Sequence, residues 1–215
     1  QGPLQIQLRV QGPLGRLDAV TMQGTMASNE LSVRGFGVRE LNADLNHVNG
    51  RFIVHVTQAK MAGGLVAGEY HVDLNKQPTT YLVSADLTQI DLAQLSASIP
   101  AWSKQRPEGT ASSSFNLMGT TGDPSSLQGN GWINAAGERL VDIPLLTRVL
   151  QGMLGALADR LGVSVMRSAQ ITSITGQWHL AGQRLVTEDV RLAGVSGTEP
   201  MAIYVRGSVG LDKTL

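Results

Sequence analysis

The 215-residue sequence contains no cysteine, which excludes disulfide bonds, zinc–thiolate sites and cysteine nucleophiles. Charged residues make up 16% of the chain, below the usual share of about a quarter, and aromatic residues make up 4%. Lys and Arg together number 17, as do Asp and Glu, so the formal net charge is zero. Proteins that bind nucleic acid usually carry a basic excess or stripe. We therefore expect no nucleic-acid partner.

Long hydrophobic runs are also absent. No stretch approaches the 18 consecutive apolar residues that indicate a transmembrane helix, and no signal peptide opens the sequence. We expect no transmembrane span within this chain. The first residues, QGPLQIQLRV, and the last, GSVGLDKTL, both resemble strands. We therefore expect a fragment of a longer protein, whose signal or membrane anchor would lie outside this sequence.

The sequence offers no recognisable catalytic or metal-binding motif. The histidines are scattered singly, outside HxH or HExxH arrangements, at His47, His55, His71 and His179. His71 stands beside Glu69 and Asp73 in a strand-like segment, which indicates a solvated charge cluster rather than a catalytic group. No serine lies in a GxSxG context. We expect a protein that is not an enzyme and that holds no metal and no cofactor.

Alternation of apolar and polar residues dominates the sequence. It is clearest at Ile6, Leu8 and Val10, at Phe52, Val54 and Val56, and at Phe115 and Leu117. Turn-forming segments separate runs about ten residues long, without helical crossovers, which predicts antiparallel strands. Each such strand has one apolar face. Two mainly β architectures follow: a large curved antiparallel sheet with an open apolar groove, or a partly closed barrel or sandwich.

A glycine-poor segment, DLTQIDLAQLSASIPAWSKQRP at 86–107, lies between two faintly similar halves. It predicts a short helix near 91–97, beginning at Asp91, and a linker over 98–108. The predicted division is a β segment at 1–97 and a second β segment at 109–215. The second segment either forms its own unit or continues the sheet of the first, and we favour one continuous sheet.

One segment breaks the strand pattern and predicts a long amphipathic helix at about 143–161. Asp142 is placed to cap it, Pro144 lies in its first turn, and Gly162 suits its C-terminal end. Its apolar stripe consists of Leu146, Leu150, Met153, Leu157 and Leu161. Such a helix packs on the apolar face of the sheet as core, or closes an apolar groove. A membrane-surface helix is the least favoured alternative, because the polar face carries little basic charge.

The segment SLQGNGWINAAGERLVDIPLLTRVLQGM resembles the C-terminal region of the AsmA-like family, which includes the TamB and YhdP types. The residues that carry the resemblance are Leu127, Gly129, Gly131, Ile133, Gly137, Ile143, Pro144, Leu145, Leu146 and Leu150. Three further segments resemble other recurring segments of the family: SADLTQIDLAQL, AKMAGGLVAGEYHVDL and ITGQWHLAGQRLVTEDVRLAG. The resemblance implies a periplasmic protein anchored in the inner membrane elsewhere in its chain, with a curled sheet and an apolar groove.

The resemblance further implies transport of phospholipid between the inner and outer membranes, or a role in outer-membrane biogenesis. The candidate lining of the lipid groove is Ile6, Leu8, Val10, Phe52, Val54, Val56, Phe115, Leu117, Trp132, Leu150, Met153 and Leu157. The expected ligand is a phospholipid or another acyl-chain compound. The alternative is a structural or assembly module that pairs strand edges with an envelope protein. A carbohydrate-active β domain fits less well, because aromatic platforms are scarce.

Overall fold

The computed structural model describes residues 2–13, 19–33, 35–99, 107–140 and 169–210. Over these ranges the chain forms one open antiparallel sheet of eleven strands and one short helix, and the order of strands in the sheet is their order in the sequence. The elements are β1 (Gln5–Gln11), β2 (Thr21–Val33), β3 (Phe36–Val48), β4 (Arg51–Met61), β5 (Gly64–Asp73), β6 (Thr80–Asp91), α1 (Leu92–Ala97), β7 (Glu108–Thr120), β8 (Asp123–Arg139), β9 (Ala169–Ala181), β10 (Arg184–Ser196) and β11 (Glu199–Gly210).

The mainly β, antiparallel prediction is therefore confirmed. Of the two predicted architectures, the described residues form the open sheet, since β1 pairs only with β2 and β11 only with β10. The long helix predicted at about 143–161 lies outside the described residues and stays a prediction. The helix among the described residues, α1, has six residues, too few to span a membrane.

Tight turns between neighbouring strands follow from the local sequence. Asn49 and Gly50 join β3 to β4 with φ angles of 51° and 70°, and Gly182 and Gln183 join β9 to β10 with φ angles of 55° and 59°. Two consecutive residues with positive φ are the signature of the turn whose twist matches paired antiparallel strands, and Asn–Gly adopts it readily. The turn signals HVNGR and LAGQR predicted both hairpins.

The short helix predicted near 91–97 is confirmed as α1. Asp91 caps it, because its carboxylate accepts a hydrogen bond of 2.9 Å from the backbone N–H of Gln94. The sheet continues across this region, since β6 and β7 are hydrogen-bonded neighbours over Thr80–Asp91 and Thr110–Thr120. The strands on either side of the predicted linker therefore belong to the same sheet.

The buried core lies beside α1, on one face of β8 to β11. Its buried members are Leu92, Ala135, Leu140, Ile171, Ile174, Leu192 and Val205. Ala135, Ile174 and Leu192 are successive cross-strand partners, so their side chains lie on the same face of the sheet. Burial of each large aliphatic side chain is worth about 1.5–3 kcal/mol, so α1 and these strands stabilise one another.

We expect Gly129→Ala to destabilise the protein by about 1–3 kcal/mol. A β-carbon at Gly129 would meet the backbone oxygen of Asn116 on the neighbouring strand and would lie 2.8 Å from Cδ2 of Leu117. Gly37→Ala is the matched control, because a β-carbon there meets nothing within 4 Å. Urea unfolding of both variants measures the difference. Equal free energies of unfolding for the two variants would contradict the close approach of β7 to Gly129.

Candidate apolar binding face

A continuous row of apolar residues crosses the whole sheet. Directly paired residues of antiparallel strands place their side chains on the same face, so the register defines the row. From β1 to β11 the successive partners are Leu8, Gly24, Leu45, Val54, Tyr70, Val83, Leu117, Gly129, Leu180, Leu185 and Val209. We call this the central row. At a strand spacing of ~4.8 Å it is roughly 48 Å long.

Two shorter rows flank the central row on the same face. One consists of Ile6, Met26, Ala43, Val56, Gly68, Ala85, Phe115, Gly131 and Trp178. The other consists of Val10, Met22, His47, Phe52, Val72, Tyr81 and Gly119. We call the face that carries the three rows the apolar face. The rows contain one histidine, His47. It is buried, and its Nδ1 lies 2.8 Å from the carbonyl oxygen of Val20.

The structure brings eight of the predicted groove residues together on the apolar face. They are Ile6, Leu8, Val10, Phe52, Val54, Val56, Phe115 and Leu117. Trp132 does not join them: it pairs with Ser114 and Gln177, so it lies on the opposite face, where it is 43% exposed. The predicted helix residues Leu150, Met153 and Leu157 lie outside the described residues.

Trp178 is the tryptophan that the apolar face does contain, and our sequence reasoning missed it. It pairs with Gly131, and its indole lies over that glycine, since a β-carbon on Gly131 would be 2.6 Å from Cζ2 of Trp178. The alternation in TGQWHLA, where Trp178 and Leu180 share a face, is the signal that could have identified it. Large side chains that cover neighbouring glycines are a recurrent way to stabilise glycine-containing strands.

Access to the apolar face differs along the sheet. The face is buried at the core of β8 to β11, a cluster that also includes Leu92 of α1. At the other end, Ile6 is 49%, Leu8 52% and Val10 46% exposed. The five predicted groove residues of β4 and β7 are half-buried. A contiguous accessible apolar surface of this kind is typical of a binding surface.

The opposite face carries most of the polar side chains of the strands, together with Ile53, Leu82, Met118 and Trp132. One row across it consists of Thr25, Asp44, His55, Glu69, Ser84, Asn116, Asn130 and His179. We call this the polar face. The sheet is therefore amphipathic, as the alternation predicted. Among the described residues, no three His, Asp or Glu side chains are arranged to hold a metal ion.

Glu69 and His71 form an exposed pair on the polar face. Nε2 of His71 donates a hydrogen bond of 2.7 Å to Oε2 of Glu69, and both side chains are more than a third exposed. This hydrogen bond lowers the pKa of the Glu69 carboxyl, and the charges of His71 and His55 act in the same direction. An exposed pair of this kind contributes little to stability. It is a solvated charge cluster.

No protein-family model, no curated protein and no solved structure matches this chain at a significant level. The function is therefore inferred from the geometry of the two faces and from the sequence resemblance.

His71→Gln should raise the pKa of Glu69 towards its ordinary value, because the carboxylate loses its hydrogen bond from the imidazole and a nearby positive charge. NMR titration of the Glu69 carboxyl carbon measures the shift. Since the folded-state pKa is lowered, the pair stabilises the fold above the unfolded-state pKa of Glu69, and this contribution is lost as the pH falls through the lowered value. His55→Gln is the control and should have a smaller effect. An unchanged Glu69 pKa in His71→Gln would contradict the pairing.

Proposed function

We propose that the chain is a non-enzymatic lipid-binding or lipid-transfer module of the AsmA-like type, and that the apolar face is its binding surface. The observation that carries the proposal is the central row, which crosses all eleven described strands on one face. A compact soluble ligand would need only a local pocket. An apolar row roughly 48 Å long is suited to extended hydrocarbon chains, which contact many neighbouring strands in succession.

The energetics of acyl-chain burial support this function. Each buried methylene contributes ~0.8 kcal/mol, so laying five methylenes on the face contributes ~4 kcal/mol. The half-exposed side chains of Ile6, Leu8 and Val10 leave room for further burial. The polar face remains in water at the same time, so the sheet can cover hydrocarbon on one side without losing solubility.

The sequence resemblance supplies the cellular setting of the proposal. Five of the residues that carry it belong to β8: Leu127, Gly129, Gly131, Ile133 and Gly137. Gly129 and Gly131 lie in rows of the apolar face. We propose a periplasmic location, an anchor of the longer protein in the inner membrane, and transfer of phospholipid towards the outer membrane. Curvature of the sheet and closure of the groove by a helix at 143–161 are further parts of the proposal.

One observation favours a second candidate function, an assembly module that acts by strand pairing. β1 has no partner on its outer side among the described residues, and its apolar side chains are about half exposed. An unpaired edge strand is a template for a strand of another protein. An envelope protein that adds a strand at β1 would also extend the rows of the apolar face.

The double variant Leu8→Gln with Val54→Gln should lower the amount of phospholipid bound by the purified protein several-fold, because it places two amides in the central row. Native mass spectrometry after incubation with liposomes measures the bound lipid. The matched control is Arg9→Gln with His55→Gln, which changes the next residue of the same two strands on the polar face and should bind lipid normally. Circular dichroism verifies that both variants fold.

A purified wild-type protein that takes up no phospholipid would contradict the proposal. Equal losses in the two double variants would contradict the assignment of the apolar face. Strand addition at β1 without lipid uptake would favour the assembly function instead.

A further inference from the structure

A cavity of about 500 Å³ opens on the apolar face beside the turn between β7 and β8. We call it the turn cavity. Its side chains include Tyr70, Tyr81, Val83, Asp123, Pro124 and Leu127. Tyr70 and Val83 are neighbouring members of the central row, so the cavity adjoins the surface that we propose for acyl chains.

The lining of the turn cavity combines two phenol rings with one carboxylate and contains no Lys, Arg or His. The phenol of Tyr81 lies across Gly119, whose missing side chain provides the space: a β-carbon there would be 2.7 Å from the Tyr81 hydroxyl. Tyr70 is 42% exposed. The faces of aromatic rings attract cations, and a nearby carboxylate strengthens that attraction.

The Asp123 carboxylate is held in place by the turn. Its Oδ1 accepts a hydrogen bond of 2.9 Å from the backbone N–H of Ser125 and another from the Ser125 hydroxyl. These hydrogen bonds lower the pKa of Asp123, so the group is ionised at neutral pH. The backbone N–H of Ser126 also donates to this carboxylate.

We propose that the turn cavity binds the ammonium head group of a zwitterionic lipid, between the rings of Tyr70 and Tyr81 and the carboxylate of Asp123. The inference rests on the proposed lipid-binding function and adds a head-group preference to it. The acyl chains extend from Tyr70 and Val83 along the central row, and the hydroxyls of Thr120 and Thr121 at the cavity are donors for the lipid phosphate. A head group without a cation gains no attraction from the two aromatic rings and meets the negative charge of Asp123.

The test is competitive uptake from vesicles that contain equal amounts of phosphatidylethanolamine and phosphatidylglycerol. The wild-type protein should take up phosphatidylethanolamine in roughly fivefold excess, as native mass spectrometry of the bound lipids would show. Asp123→Asn keeps an oxygen for Ser125 but removes the charge, and Tyr70→Leu removes one ring. Each should lower the preference towards parity. The control is Asp86→Asn, which should keep the preference. Asp86 is an exposed carboxylate of β6 that pairs with Ala67 and Ser114.

Excess phosphoethanolamine, which has the head group without acyl chains, should lower the preference without lowering total uptake. Equal uptake of both lipids by the wild type would overturn the head-group site and leave the proposed function standing. A preference that survives in both Asp123→Asn and Tyr70→Leu would also overturn it. Uptake of neither lipid would instead overturn the proposed function itself.

Discussion

Cross-strand register decides which face of the sheet each side chain occupies, and both faces of this protein depend on it. A slip of one residue in any strand would move its apolar side chains into the polar face. The central row is continuous because, in each of the ten neighbouring strand pairs, an apolar residue or glycine of one strand pairs with an apolar residue or glycine of the next. Burial of the core residues of β8 to β11 fixes the register of those strands. Tight turns such as Asn49–Gly50 hold neighbouring strands in register elsewhere in the sheet.

Irregularities in the strands preserve this register. Leu87 and Ile90 are three residues apart on β6, which in a regular strand would place them on opposite faces. They nevertheless pair with Ser113 and Ala111, which are two apart on β7 and therefore share a face. The extra residue is accommodated near Gln89, which has a φ of 54°. This bulge keeps Ile90 on the apolar face, where it is 2% exposed.

Much of the fold could be predicted from the sequence because alternation and turn chemistry are local. Ile6, Leu8 and Val10 alternate strictly, and Asp91 precedes a short apolar repeat that marks α1. Trp132 could not be placed so simply. Positions 129 and 131 are glycines, so the residues around Trp132 show no clear apolar–polar alternation. Only the pairing of Trp132 with Ser114 shows which face of the sheet it occupies. Bulges are also hard to predict, because they depend on the partner strand.

The same locality limits what the sequence reveals about function. It identified eight residues of the apolar face, but it could not reveal the turn cavity, because Tyr70, Tyr81 and Asp123 come from three different strands. The most direct measurement is photo-crosslinking with a benzophenone side chain at position 54 or, in a second protein, at position 55. Lipid adducts at position 54 and none at position 55 are the expected result. Adducts at neither position, or equal yields at both, would contradict binding of lipid on the apolar face.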